Sequence, residues 1–436
     1  MPVKLYVREC LEPSGELKPL PSLWSSLVAI FAAAAQGEAE IASIDTRNPC
    51  IREAIALLTS LGYRAEKLSS EKLFVKKEDT LLKPLTHRLN LGCGLLVAEL
   101  AAAFFAVQAP PQSQLVLRAT GSEYLVSLDT REFREVIASL GARIWGGGSA
   151  QRYLVVEKVA APPPRILRLG TRNAALVASA LLALISVSES VTIRVLLPSL
   201  YALSRLDAAI DIINELGYDV ERANGLIKVE KESNTGVEEP KPRSGVAETL
   251  SIAMHASLCG RAEIALDVKS FGQKEKEELL YLLSIIGYET EQRGEQFLLS
   301  YSAPRNFVYT VDNIPELIVP LVAQASMVGD SGIAGIAPSL LEGLISKALE
   351  RVGAELGADI YLEGNERVRV IKPIARPARN QYTCSGLDPA SCFLVLSASL
   401  ARQRKLLLLD ADKIIGLLPF GPERLQELGI DIIVQK

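Results

Sequence analysis

Six times along this chain an amphipathic helical stretch ends in an apolar residue followed by glycine and then runs into a strand-like segment. The glycines are Gly62, Gly141, Gly217, Gly287, Gly353 and Gly429, and their spacings are 79, 76, 70, 66 and 76 residues. A glycine just past a helix end closes it in the left-handed conformation, where a Cβ is unfavourable. Recurrence at so even a period marks one supersecondary unit copied six times. A unit of this kind cannot bury its apolar face alone and must pack against its neighbours.

The third copy spells out the unit. Ala174 to Ser186 is almost wholly apolar, which predicts a helix buried on most sides. Val191 to Leu196 is rich in β-branched residues and predicts a strand. Ser204 is placed to cap a second helix, in which Leu206, Ile210, Ile213 and Leu216 recur at helical spacing before Gly217. Tyr218 to Glu221 and Leu226 to Glu230 flank an Ala-Asn-Gly turn, a hairpin signal. The same order of segments recurs at 22–77, 92–157, 244–301, 312–372 and, shortened, at 384–435.

The polar stretch Lys231 to Arg243 falls between the third and fourth copies and serves as a linker. The expected organisation is therefore three units in 19–236 and three in 240–436, with 1–18 joining the second set. The last copy lacks a final hairpin strand, and the segment Lys4 to Arg8 is spare to complete that half.

Composition excludes several classes. With 49% apolar and 22% charged residues the chain is an ordinary globular protein, and its net charge of −4 gives no general attraction to nucleic acid or acidic membranes. No apolar run reaches membrane-spanning length, and the N-terminus lacks a signal-peptide core, so a cytoplasmic protein is expected; a monomer is expected too. Six cysteines without CxxC spacing predict reduced, mainly buried thiols. The two histidines, His87 and His255, lie far apart and predict structural or surface roles. No metal ion or cofactor is expected.

Three units per half, a crossover near residue 240 and an N-terminal strand returning to the second half resemble the enolpyruvyl transferases, above all the 5-enolpyruvylshikimate-3-phosphate (EPSP) synthase family. The stretches 120–144, 179–221, 311–336 and 392–412 carry the local similarity. The resemblance implies an α/β (α+β) fold: a two-domain, inside-out α/β barrel built from six βαβαββ-type units. It also implies helix N-termini aimed at a cleft that holds a small anionic or sugar-like ligand. Helix N-termini carry unpaired N–H groups and partial positive charge, and so suit phosphate and carboxylate.

By the same resemblance, Ser22 stands where the family has a lysine, and Leu27 where it has an arginine. Gly94 keeps one glycine of a Gly-Thr motif whose threonine and arginine positions are Leu95 and Ala98. An Arg-Pro pair falls on Leu128 and Asp129, and a Ser-Ser-Gln set on Ala174, Ala175 and Leu176. Glu316 keeps the catalytic acid, while Arg172 and Asn173 precede a buried helix and are candidate ligand contacts. Lys18, Lys83 and Arg88 fall near the same side. The cationic motifs expected near 334–343 and 385–391 carry no lysine or arginine.

Each charge-assisted contact to a phosphate or carboxylate is worth about 1.5–3 kcal/mol, so losing some six removes on the order of 10 kcal/mol. That is comparable to the whole binding free energy of a nanomolar ligand, about 12 kcal/mol. The expected protein is a catalytically impaired relative of the EPSP synthases that binds another ligand or a partner. The alternative is an active 3-phosphoshikimate 1-carboxyvinyltransferase. Nucleic acid and membrane partners are not expected.

Overall fold

The computed structural model describes the chain except residues 1–2, 9, 11, 79–83, 91–94, 119–129, 147–152, 160–165, 197–199, 201, 233–238, 302, 304, 312–313, 337–356, 365–366, 374–378, 385–388, 403–404, 419 and 436. It divides into two units. One comprises Met1–Leu23 with Arg243–Lys436, the other Trp24–Pro242.

Among the described residues the Trp24–Pro242 unit carries three sheets. In the third of them, Ile166–Leu169 lies parallel to Ser190–Val195, which pairs antiparallel with Leu226–Lys231, itself antiparallel to Tyr218–Ala223. Parallel neighbours need a crossover, and the helix Ala174–Ile185 supplies it. Every residue of that helix is buried, because it is apolar on all faces. It packs against a second apolar helix, Leu95–Gln108. Phe104 of that helix lies 5.2 Å, ring to ring, from Phe31. The amphipathic helix Leu203–Glu215 buries only the stripe Leu206, Ala209, Ile212 and Ile213.

The sheet Thr86–Asn90, Gln114–Arg118, Tyr153–Lys158, Ala142–Gly146 repeats this order. The sheet of Glu38–Ala42, Lys72–Lys77 and Tyr63–Lys67 has three strands. The hairpin turn at Asn224-Gly225 has positive φ at both residues (49° and 75°), as a two-residue turn matched to strand twist requires.

The other unit depends on its N-terminal segment. Lys4–Val7 lies between Leu406–Leu409 and Ile432–Gln435, antiparallel to both, in the place that a second hairpin strand fills in other copies. Ser14–Leu17 then adds in parallel to Ala262–Asp267. The helices Val246–Leu258, Ile318–Val328 and Pro389–Ala401 pack together inside.

Two expectations are corrected. Ser204 lies inside its helix, and the N-cap is Ala202, which enters with φ 57° and no side-chain cap. The chain path into the helix, rather than the local serine preference, fixes its start. The thiols are not all reduced either, for Cys10 and Cys259 form a disulfide spanning 249 residues. Sequence spacing carried no sign of it, because the pairing arises only when the N-terminal segment folds back beside the end of the Val246–Leu258 helix. Cys50, Cys384 and Cys392 are buried thiols. Cys93 lies outside the described residues.

Of the six repeat glycines, Gly62, Gly141, Gly217, Gly287 and Gly429 have φ between 79° and 109°. Gly353 lies outside the described residues. Gly287 is tightly constrained, since a Cβ there would run into the carbonyl oxygen of Ala303. Gly287→Ala should therefore cost about 2–4 kcal/mol, combining left-handed backbone strain and overpacking. Gly429→Ala, with open space around it, should cost only about 1–2 kcal/mol. Urea denaturation of the two variants measures the difference.

Candidate functional site

The helix Ala174–Ile185 begins in a dense polar network. Asn173 is its N-cap, and its Oδ1 accepts the N–H of Ala175 at 2.9 Å. The Asn173 Nδ2 donates to Glu99 Oε1 at 2.9 Å, and its backbone N–H donates to Thr171 Oγ1 at 2.9 Å. Thr171 Oγ1 in turn donates to Glu132 Oε2 at 2.7 Å, which also accepts the backbone N–H of Arg172 at 3.2 Å. Glu99, Thr171 and Asn173 are buried. The Arg172 side chain is exposed. The cap of this helix is thus supplied by Asn173, and two carboxylates of the protein itself, Glu99 and Glu132, hold Asn173 and the two residues before it.

A second cluster surrounds Ser22. Its backbone N–H donates to Arg243 O at 2.8 Å, beside a bridge between Pro21 and Ser244. Gly245 N–H donates to Leu20 O at 2.8 Å, and Leu20 N–H to Thr249 Oγ1 at 3.2 Å. Glu248, in the first turn of the Val246–Leu258 helix, accepts the N–H of Leu23 at 2.9 Å. Leu23 is the first residue of the helix Leu23–Gln36. A buried glutamate thus takes up one N–H of the first turn of an apolar helix. A Cβ at 245 would meet the Glu248 carboxylate, which would have to shift to make room.

Ser22 joins the second of these networks through its backbone, and Arg172 and Asn173 lie together in the first. Glu316 sits half-buried in the 3₁₀ turn Pro315–Leu317 that leads into the helix Ile318–Val328, where a carboxylate favours the helix dipole. Gly94 lies outside the described residues, as do Lys83, Leu128, Asp129, most of 334–343 and most of 385–391. Arg88 is exposed on the strand Thr86–Asn90.

At positions where the resemblance looks for charged or polar contacts, Leu27, Ala98, Ala174, Ala175 and Leu176 are packed in the apolar interior, none more than 2% exposed. Sequence reading missed Glu99, Glu132, Thr171, Glu248 and Thr249. A glutamate at the third position of the Val246–Leu258 helix was the one legible signal, and its usual meaning is capping of its own helix. Among the described residues no cluster has the make-up of a metal site, and no helix is long and apolar enough to cross a membrane.

No protein-family model and no curated protein matches the sequence. Solved structures do match over its full length. The enolpyruvyl transferase NikO from Streptomyces tendae aligns with a TM-score of 0.67 at 15% identity, covering 100% of this chain and 99% of that one. The EPSP synthase from Acinetobacter baumannii aligns with a TM-score of 0.59 at 14% identity, covering 100% of both. Whole-length likeness at such low identity establishes the architecture: this chain has the enolpyruvyl transferase fold.

Proposed function

We propose that this protein is a divergent EPSP synthase-like member of the enolpyruvyl transferase group in which carboxyvinyl transfer is lost or severely impaired, and which takes a less anionic ligand or a partner instead. The observation that carries the reading is the placement of the protein's own carboxylates beside two helix starts. Glu248 accepts the N–H of Leu23, the first residue of its helix, and Glu132 accepts that of Arg172, two residues before the helix Ala174–Ile185. A phosphate or carboxylate brought to either place would meet a carboxylate, and like charges at close range repel. Apolar side chains at Leu27, Ala98 and Leu176 support the same reading, because buried aliphatic groups cannot replace cations.

The test is turnover. Incubated with shikimate-3-phosphate and phosphoenolpyruvate, the protein is expected to release no inorganic phosphate above the protein-free rate. Release at the 1–1,000 per second common to enzymes, roughly, would overturn the proposal in favour of an active 3-phosphoshikimate 1-carboxyvinyltransferase. A thermal-shift measurement gives a second readout. A millimolar ligand with a micromolar Kd would stabilise the fold by about 4 kcal/mol, and neither compound is expected to move the melting curve.

A further inference from the structure

The sheet Thr86–Asn90, Gln114–Arg118, Tyr153–Lys158, Ala142–Gly146 has an outward face unlike its apolar inner one. Alternation sends Leu89, Leu115, Leu117, Leu154 and Val156 inward, where all are buried. On the other face Arg118 stands between Asn90 and Tyr153. One row over, Arg88 neighbours Val116, which faces Val155, which faces Trp145. Trp145 and Tyr153 are thus diagonal neighbours across two antiparallel strands, about 7 Å apart at the Cβ atoms. Both are exposed, Trp145 to 41% and Tyr153 to 37%, while Val155 beneath them is 2% exposed. The chain has two tryptophans, and the other, Trp24, is 2% exposed.

This face carries cations as well. Several outward cations of other sheets are matched by acids, as with Lys72–Glu40, Lys76–Glu38, Arg293–Glu291, Lys372–Asp359 and Arg369–Glu363, whereas Arg168 and Arg194, paired across Ile166–Leu169 and Ser190–Val195, make no ion pair among the described residues. Here Arg143 pairs with Glu157 at 2.9 Å, and Glu157 also accepts the Trp145 indole N–H at 3.1 Å, holding the ring in place. Arg88 and Arg118 make no ion pair among the described residues. The face therefore carries net positive charge around two exposed aromatic rings.

We propose that this sheet face binds single-stranded nucleic acid, with unstacked bases on Trp145 and Tyr153 and phosphates on Arg88 and Arg118. Aromatic platforms on a sheet recognise single strands because each unstacked base offers a π-face, and arginines follow the backbone. A duplex keeps its bases stacked and offers no such faces. The absence of nucleic-acid binding expected from net charge rested on a whole-chain sum, whereas this recognition depends on local charge within a Debye length of about 8–10 Å.

Fluorescence anisotropy of a labelled 12-nucleotide oligouridylate tests it with the full chain, and tryptophan emission supplies a second signal. Binding is expected with a Kd of roughly 1–100 µM at low salt, with quenching of Trp145. Trp145→Ala should weaken binding at least about fivefold. The double variant Arg88→Ala/Arg118→Ala should weaken it about tenfold and flatten the salt dependence by about 1.4 in log–log slope. These positions are exposed, and unchanged melting curves confirm that the variants fold. No binding up to about 100 µM, equal binding of a 12-base-pair duplex or of polyglutamate, or full affinity in the double variant would each overturn the proposal.

Discussion

Reducing the Cys10–Cys259 disulfide is expected to lower the unfolding free energy of the unit that contains it by about 3–5 kcal/mol. The bond closes a loop of 249 residues, and chain-entropy gain grows with the logarithm of loop length. What the bond holds matters equally. Cys10 lies between Lys4–Val7, a central strand of one sheet, and Ser14–Leu17, an edge strand of another. If this segment detaches, Ile432–Gln435 loses the neighbour it pairs with, and Leu406–Leu409 loses one of its two. Urea unfolding with and without dithiothreitol measures the loss. Cys10→Ser should reproduce it without reductant, and hydrogen exchange should rise first in Lys4–Val7 and Ile432–Gln435. Identical curves for oxidised and reduced protein would show that the bond contributes nothing.

Acidification from pH 7 to pH 5 should cost about 2 kcal/mol through His255 alone, reaching about 3 kcal/mol below pH 4. The imidazole is fully buried, with Phe393 edge-on at 4.7 Å. Its Nδ1 lies 2.7 Å from Ser251 O, a pure acceptor, so Nδ1 carries the proton of the neutral ring. Its Nε2 lies 3.0 Å from Ser397 Oγ, which ties the Val246–Leu258 helix to Pro389–Ala401. Burial lowers the pKa from 6.5 to about 4, with the Ser251 hydrogen bond opposing it. Between those values the unfolded chain binds the extra proton and the folded chain does not. Stability is therefore full above pH 6.5 and declines as pH falls towards 4. His255→Gln keeps a donor and an acceptor but cannot titrate. It should remove this component of the pH profile, whatever it costs at neutral pH. An unchanged pH dependence in that variant would show that His255 is not the group responsible.

Much of the architecture was legible because repetition is a property of sequence. Positive φ at Gly62, Gly141, Gly217, Gly287 and Gly429 follows from a helix end that must reverse direction, and each apolar-glycine pair announced it. The all-round apolar run at 174–185 could only be a buried helix, and its twelve residues are all buried. The hairpin at Asn224-Gly225 followed from residues that tolerate positive φ. Ser204 misled because a capping preference of about 1 kcal/mol yields to the route by which the chain enters a helix.

The candidate site was less legible. Glu99, Glu132 and Glu248 lie on helices whose patterns only required a polar residue there, and nothing local marks the partners Asn173, Thr171 and Leu23. Those partners are 74, 39 and 225 residues away in sequence. The face of Arg88, Arg118, Trp145 and Tyr153 was hidden likewise, because strand register brings these residues together.

The sequence by itself determined the repeated unit, its helix ends and which faces must be buried, since periodicity and glycine conformation act over a few residues. The tertiary structure alone decided which carboxylate meets which helix N-terminus, which two cysteines join and which arginines share a sheet face with the exposed aromatics. Those pairings depend on distances between segments far apart in the chain, and only packing of the units sets them.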